Sequence, residues 1–179
     1  MTKKIEVELK GITPLLMHRY PLEPVEGFNK MTREEQAEIG AYRDSKTKEL
    51  FIPGGNIQRA LVAGATYVKG KGRASLQKQT AACLFIEPER VYLGTNEYTV
   101  DSRRAVNPTT KGAIIANRPR LDRWSCKFFI SYDEVLLSEK NIRDIVENTV
   151  SKVGFLSFRP EKKGPYGRSM IVKWDTVTD

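Results

Sequence analysis

The run SEKNIRDIVENTVSKVG at 138–154, followed by FLSFRPEKKGPYGR at 155–168 and SMIVKW at 169–174, decides how the rest of the chain is read. Ile142, Ile145, Val146, Thr149, Val150 and Val153 recur at the spacing of a single helical stripe, so the first piece is a helix that buries one face. Ser138 is a good N-cap with Asn141 three residues on, and Gly154 stands where such a helix needs a left-handed residue to end. Met170, Val172 and Trp174 alternate along a closing strand at 168–174. Just upstream, Trp124, Cys126, Phe128 and Ile130 alternate with Ser125, Lys127, Phe129 and Ser131, a long strand over 122–132. The last third therefore reads β–α–β.

Working back toward the N-terminus, Ile5, Val7 and Leu9 alternate with charged residues and predict a half-buried strand over 3–12. Two helical pieces are expected between 56 and 83, the first capped by Asn56 after Pro53-Gly54-Gly55 and the second by Ser75. Short β pieces follow over 84–93, interrupted by Pro88. Strand, helix, strand, strand, helix, strand is the β-α-β-β-α-β order of the α+β, ferredoxin-like (RRM-like) fold. One such domain over 1–179 is expected, with insertions at 13–52 and 94–121. The first insertion contains the capping box Thr32-Arg-Glu-Glu35, opening a helix to about Ala41, and a brief strand at Leu50, Phe51 and Ile52. The second, basic and without core periodicity apart from a hairpin strand near Ala113–Ala116, is too long for a plain connection and reads as functional.

Charge is uneven. The formal net charge of +8 conceals three basic windows, 59–78, 101–127 and 152–173, that together carry +15, so the remainder is net acidic at −7. Such polarity fits a molecule with one face turned to a polyanion. Two cysteines and one histidine exclude a structural zinc site, and Asp44, Asp101 and Asp122 form no carboxylate cluster for a metal. Lys69-Gly-Lys-Gly-Arg73 lacks the spacing of a phosphate-binding P-loop. No cofactor is expected. An N-terminus without an apolar core and the lack of a long apolar run point to a cytoplasmic protein away from membranes.

Between Phe155 and Arg168, glycines, prolines, aromatics and four cations are interleaved. Glycine admits close backbone approach, cations neutralise phosphates and rings accept stacked bases, so the segment suits a nucleic-acid strand. The candidate binding residues are Arg59, Lys69, Lys71, Arg73, Arg103, Arg104, Arg159, Lys162, Lys163 and Arg168 for phosphates, and Phe158 and Tyr166 for stacking.

The segment GFLSFRPEKKGPYGR with a strand leading out of it resembles the glycine-rich loop of the RAMP superfamily of CRISPR-associated proteins, and IPGGNIQRAL is similar to a pattern many members carry before the first helix. Gln58-Arg59 departs from the Lys-Gly usual there, and the chain is short for a backbone subunit. The resemblance implies a ferredoxin-like fold, an RNA ligand, assembly into oligomers or a ribonucleoprotein complex used in antiviral defence, and a thumb-like role for 94–121. A viral or mobile-element relative fits the same residues. The function expected is non-catalytic binding of single-stranded RNA or DNA. Two alternatives stay open: a metal-independent endoribonuclease using His18 as general acid or base, and a viral single-stranded-DNA-binding or assembly protein.

Overall fold

The computed structural model describes residues 2–107 and 109–177. Among these, nine strands and four α-helices form an α+β structure with antiparallel sheets. In chain order the elements are β1 (Thr2–Gly11), β2 (Leu15–Leu16), α1 (Arg33–Ile39), β3 (Phe51–Pro53), α2 (Gly54–Gly64), α3 (Gln77–Cys83), β4 (Leu84–Glu87), β5 (Arg90–Tyr92), β6 (Thr99–Val106), β7 (Ala113–Leu121), β8 (Ser125–Asp133), α4 (Glu139–Asn148) and β9 (Ser169–Val177).

A four-stranded sheet in the order β4-β8-β1-β9 is the frame, and every neighbouring pair in it is antiparallel. Register follows the period-two pattern: Ile5 faces Ile130, Val7 faces Phe128 and Leu9 faces Cys126, so one face presents only apolar side chains. That face is covered by α2 and α4, whose Ile57, Leu61, Ile142, Ile145 and Val146 are buried in the same core. The two helices approach so closely that a Cβ at Gly64 would strike the Thr149 side chain. Apolar burial on this scale, about 25 cal/mol per Å², is what makes the register unambiguous.

The Ser138 cap forms as read, its hydroxyl accepting the Asn141 N–H at 3.2 Å, and α4 passes into a π-helical turn over Thr149–Val153 before Gly154 at φ 71°. The capping box at Thr32 and Glu35 also forms. Two caps do not. Helix α2 begins at Gly54 with no side-chain cap, which places Asn56 inside its first turn, and α3 follows Leu76 rather than Ser75. The expected 84–93 strand divides, because β4 pairs with β8 whereas β5 turns away to pair with β3. The strand predicted over 122–132 is β8 alone, starting at Ser125, since residues up to Leu121 belong to a hairpin with β6.

That hairpin occupies most of 94–121 and is longer than the few residues near Ala113 suggested. It pairs with β2 at one end, and α1 packs against β7, with the Asn117 amide donating to Gln36 at 2.7 Å. Strand β7 thereby stands beside the loop that follows α4.

Candidate nucleic-acid interface

Loop 154–168 is tied down along its length. Phe155 N–H donates to the Gly167 carbonyl at 3.0 Å, Ser157 N–H to Leu16 at 3.0 Å, and Gly167 N–H to Pro14 at 2.8 Å. Leu156 and Phe158 adopt left-handed backbone at φ 59° and 51°, a conformation costing about 1 kcal/mol or more for bulky residues and kept only where surroundings impose it. Two glycines make the fold-back possible: a Cβ on Gly164 would run into the Phe158 carbonyl, and Gly167 at φ 73° lies against the Phe155 backbone.

The folded loop forms one wall of a cleft of about 460 Å³. Gly154, Leu156, Ser157, Phe158, Arg159 and Lys162 line that wall; Asn56, Arg59 and Ala60 of α2, His18, Tyr42 and Arg118 complete it. Each part is positioned by an ordinary contact. His18 lies between Met17, whose N–H donates to Pro119, and Arg19, whose N–H donates to Gly40. Arg118 stands opposite Asp101 in the hairpin register, on the same face as Arg103 and Arg120. Tyr42 packs its ring 6.0 Å from Phe51, and its hydroxyl accepts the Asn56 amide at 3.4 Å.

Among the described residues no carboxylate lines this cleft. Arg159 is held by Glu161 and donates to the Leu156 carbonyl at 2.8 Å, but Arg59, Arg118 and Lys162 have no acidic partner among the described residues. Arg118 is half-buried and its Nε is enclosed without an acceptor. Burial, and then the Arg103 charge, lower its pKa, and the Asp101 carboxylate acts the other way without reversing the shift. His18 is surface-exposed, yet the protein around it removes part of its hydration. That loss, followed by the Arg118 charge, pushes its pKa below the usual histidine value and favours neutral imidazole at pH 7.

Of the residues singled out in the sequence, Arg59, Phe158, Arg159, Lys162 and His18 meet in the cleft. Arg103 lies behind it: Asp101 pairs with its guanidinium, which also bonds the Tyr166 hydroxyl at 2.9 Å and covers the Phe158 and Tyr166 rings at 5.2 and 4.8 Å. Arg120 also lies over Tyr166, 5.6 Å away, so that ring is engaged internally rather than open for stacking. Lys163 occupies the left-handed position ending the 160–162 turn, and Arg168 leads into β9, its N–H donating to Thr13 Oγ1 at 3.0 Å. Neither lines the cleft, nor do Lys69, Lys71 and Arg73 in their exposed loop or Arg104 on the hairpin's opposite face. Sequence reasoning passed over Tyr42, Asn56 and Arg118 as site residues. Arg118 was findable from strand alternation with Arg120; Tyr42 carried no signal.

The open face of the four-stranded sheet is different in kind. Lys4 pairs with Glu87, Lys127 and Lys173 share Glu6, and Lys173 also meets Asp175. Hydrogen bonds from Lys173 and then Lys127 hold the Glu6 carboxyl below its usual range. Phe129, the aromatic of this face nearest the centre, has the Lys4 ammonium 4.8 Å over its ring.

Among the described residues no group of histidine, cysteine and carboxylate side chains could hold a metal ion, and no helix is long and apolar enough to cross a membrane. No protein-family model and no curated protein sequence matches the chain.

Proposed function

We propose that this protein holds single-stranded nucleic acid, RNA in the first instance, in the cleft between α2, the β6–β7 hairpin and loop 154–168. The observation that carries the reading is convergence: three basic windows far apart in sequence each send a cation into one carboxylate-free cleft, as Arg59, Arg118, and Arg159 with Lys162. Uncompensated cations in a concave site attract a polyanion and release its counterions on binding. Phe158 and Tyr42 supply ring surface beside the phosphates.

The strand order β4-β8-β1-β9, with α2 and α4 on one face, supports reading the chain as a ferredoxin-like domain with residues 13–52 and 94–121 as insertions. This supports a RAMP-type architecture in which the glycine-rich loop is the binding element. In this reading the protein acts as a binder rather than an enzyme, working in oligomers or within a ribonucleoprotein. The exposed Val106, Ile114 and Ile115 near the hairpin end are the apolar contacts available for a neighbouring copy.

A salt titration of binding to single-stranded RNA, single-stranded DNA and duplex DNA tests the proposal. Tight, steeply salt-dependent binding to a single strand is expected; no binding at low salt overturns it. One observation favours a second reading, the placement of a neutral His18 beside Arg118 in the cleft. There His18 would take the proton of a 2′-hydroxyl whose oxygen attacks the adjoining phosphate, closing a 2′,3′-cyclic phosphodiester as the P–O5′ bond breaks and the 5′-oxygen takes a proton from water, while Arg118 stabilises charge on the attacked phosphate. Cleavage of RNA, but not of DNA, on a denaturing gel and its loss in His18→Ala would establish this reading over the first.

A further inference from the structure

We infer that the cleft takes the end of a strand, a terminal phosphate monoester, in preference to the interior of one; the inference rests on the strand-binding reading. The argument is one of charge in a limited space. A cavity of about 460 Å³ is the size of a single small-ligand site and holds one nucleotide rather than a run of them. Glu161 offsets Arg159, and Asp101, the nearest carboxylate to Arg118, is taken by Arg103 and Arg120. Arg59, Arg118 and Lys162 have no ion-pair partner among the described residues.

An internal nucleotide, flanked by two diesters, brings about −2, short of three cations of which one is half-buried. A phosphate monoester carries about −1.5 to −2 at pH 7, and with the adjoining diester it balances them. Its additional oxygens also provide acceptors for the guanidinium of Arg118 where it lines the cleft. His18, beside Arg118 in the same wall, adds a proton donor once an anion raises its pKa.

The test uses the full chain and one short single-stranded RNA in several forms: with a 5′-phosphate, with a 3′-phosphate, with hydroxyls at both ends, and closed into a circle. Binding is read by fluorescence anisotropy at fixed salt. One phosphorylated form is expected to bind roughly tenfold more tightly than the hydroxyl-ended and circular forms, the worth of one or two charge-assisted hydrogen bonds. Which end wins gives the polarity of the strand. Arg118→Gln should reduce the preference to within about twofold; Arg59→Gln, at an exposed position of α2, repeats the test where folding is not at stake. Equal binding of all forms, or a preference that survives in both variants, overturns the inference and leaves strand binding standing. Failure of every form to bind at low salt overturns the strand-binding reading itself.

Discussion

The cleft and the open face of the four-stranded sheet each carry four permanent cations: Arg59, Arg118, Arg159 and Lys162 in one, Lys4, Lys10, Lys127 and Lys173 on the other. On the sheet the strand register interleaves them with Glu6, Glu8, Glu87 and Asp175, and most are consumed in ion pairs. In the cleft Glu161 pairs with Arg159, while Arg59, Arg118 and Lys162 make no ion pair among the described residues. Equal numbers of positive charges therefore produce one neutral surface and one site with cations to spare. RNA-recognition domains stack bases on an open sheet face; in the proposed reading the paired charges here leave the cleft, rather than the sheet, to hold a strand.

Charge reversal should separate the two regions most sharply. Arg59→Glu with Arg118→Glu is expected to weaken single-strand binding by roughly a hundredfold or more, since each change removes an attraction and adds a repulsion. Lys127→Glu with Lys173→Glu on the sheet should shift affinity by no more than about threefold. Anisotropy titrations of both doubles decide this, and a larger loss from the sheet double would reverse the assignment.

The next effect is on stability. Gly164→Ala forces the loop away from the Phe158 carbonyl and should cost about 2–3 kcal/mol in urea unfolding while also weakening binding. Gly55→Ala, at a helical position with open space around it, should instead stabilise by about 0.5–1 kcal/mol and leave the cleft shape intact.

Salt dependence gives a finer measure. The slope of log affinity against log salt should fall by about 0.7 for each of Arg59→Gln and Lys162→Gln, and remain unchanged for Lys127→Gln.

The smallest expected effect is that of pH. Because the folded His18 pKa lies below the usual value, the unfolded chain holds the proton more readily; this group's contribution to stability is full above the ordinary histidine pKa and declines as pH falls through and below it. Phosphate bound beside His18 reverses the preference. Binding of a hydroxyl-ended strand should therefore tighten a few-fold from about pH 7.5 to 5.5, and the trend should flatten in His18→Asn.

Much of this was legible in the residues. The helix from Ser138 and the alternation of β1 and β8 follow from periods of 3.6 and two that burial imposes on side chains; in β9 the expected alternation of Met170, Val172 and Trp174 fails, because a register shift leaves Met170 and Val172 exposed and packs Ile171 on the core. Loop 154–168 was visible as an interleaving of glycines, prolines, aromatics and cations, although its Phe155 and Leu156 are buried in the core. Helix starts were less legible: Asn56 has the chemistry of a cap, but β3 runs directly into α2, and the pairing of β3 with β5 sets the start two residues earlier. Tyr166 showed its chemistry but not its partners, and Arg103 holds it from a strand 63 residues away.

The sequence by itself determined which residues of β1, β8 and α4 are inside, because hydrophobic burial is read out locally along those elements, and it determined that the chain is polarised in charge. Which cations are free was decided only by the tertiary structure. Pairing depends on distance between side chains that are remote in sequence: register delivers Glu6 to Lys127 and Lys173, whereas the fold brings Arg59, Arg118 and Lys162 together with no carboxylate among them. A count of charges is additive along the chain, but their electrostatic energy depends on geometry.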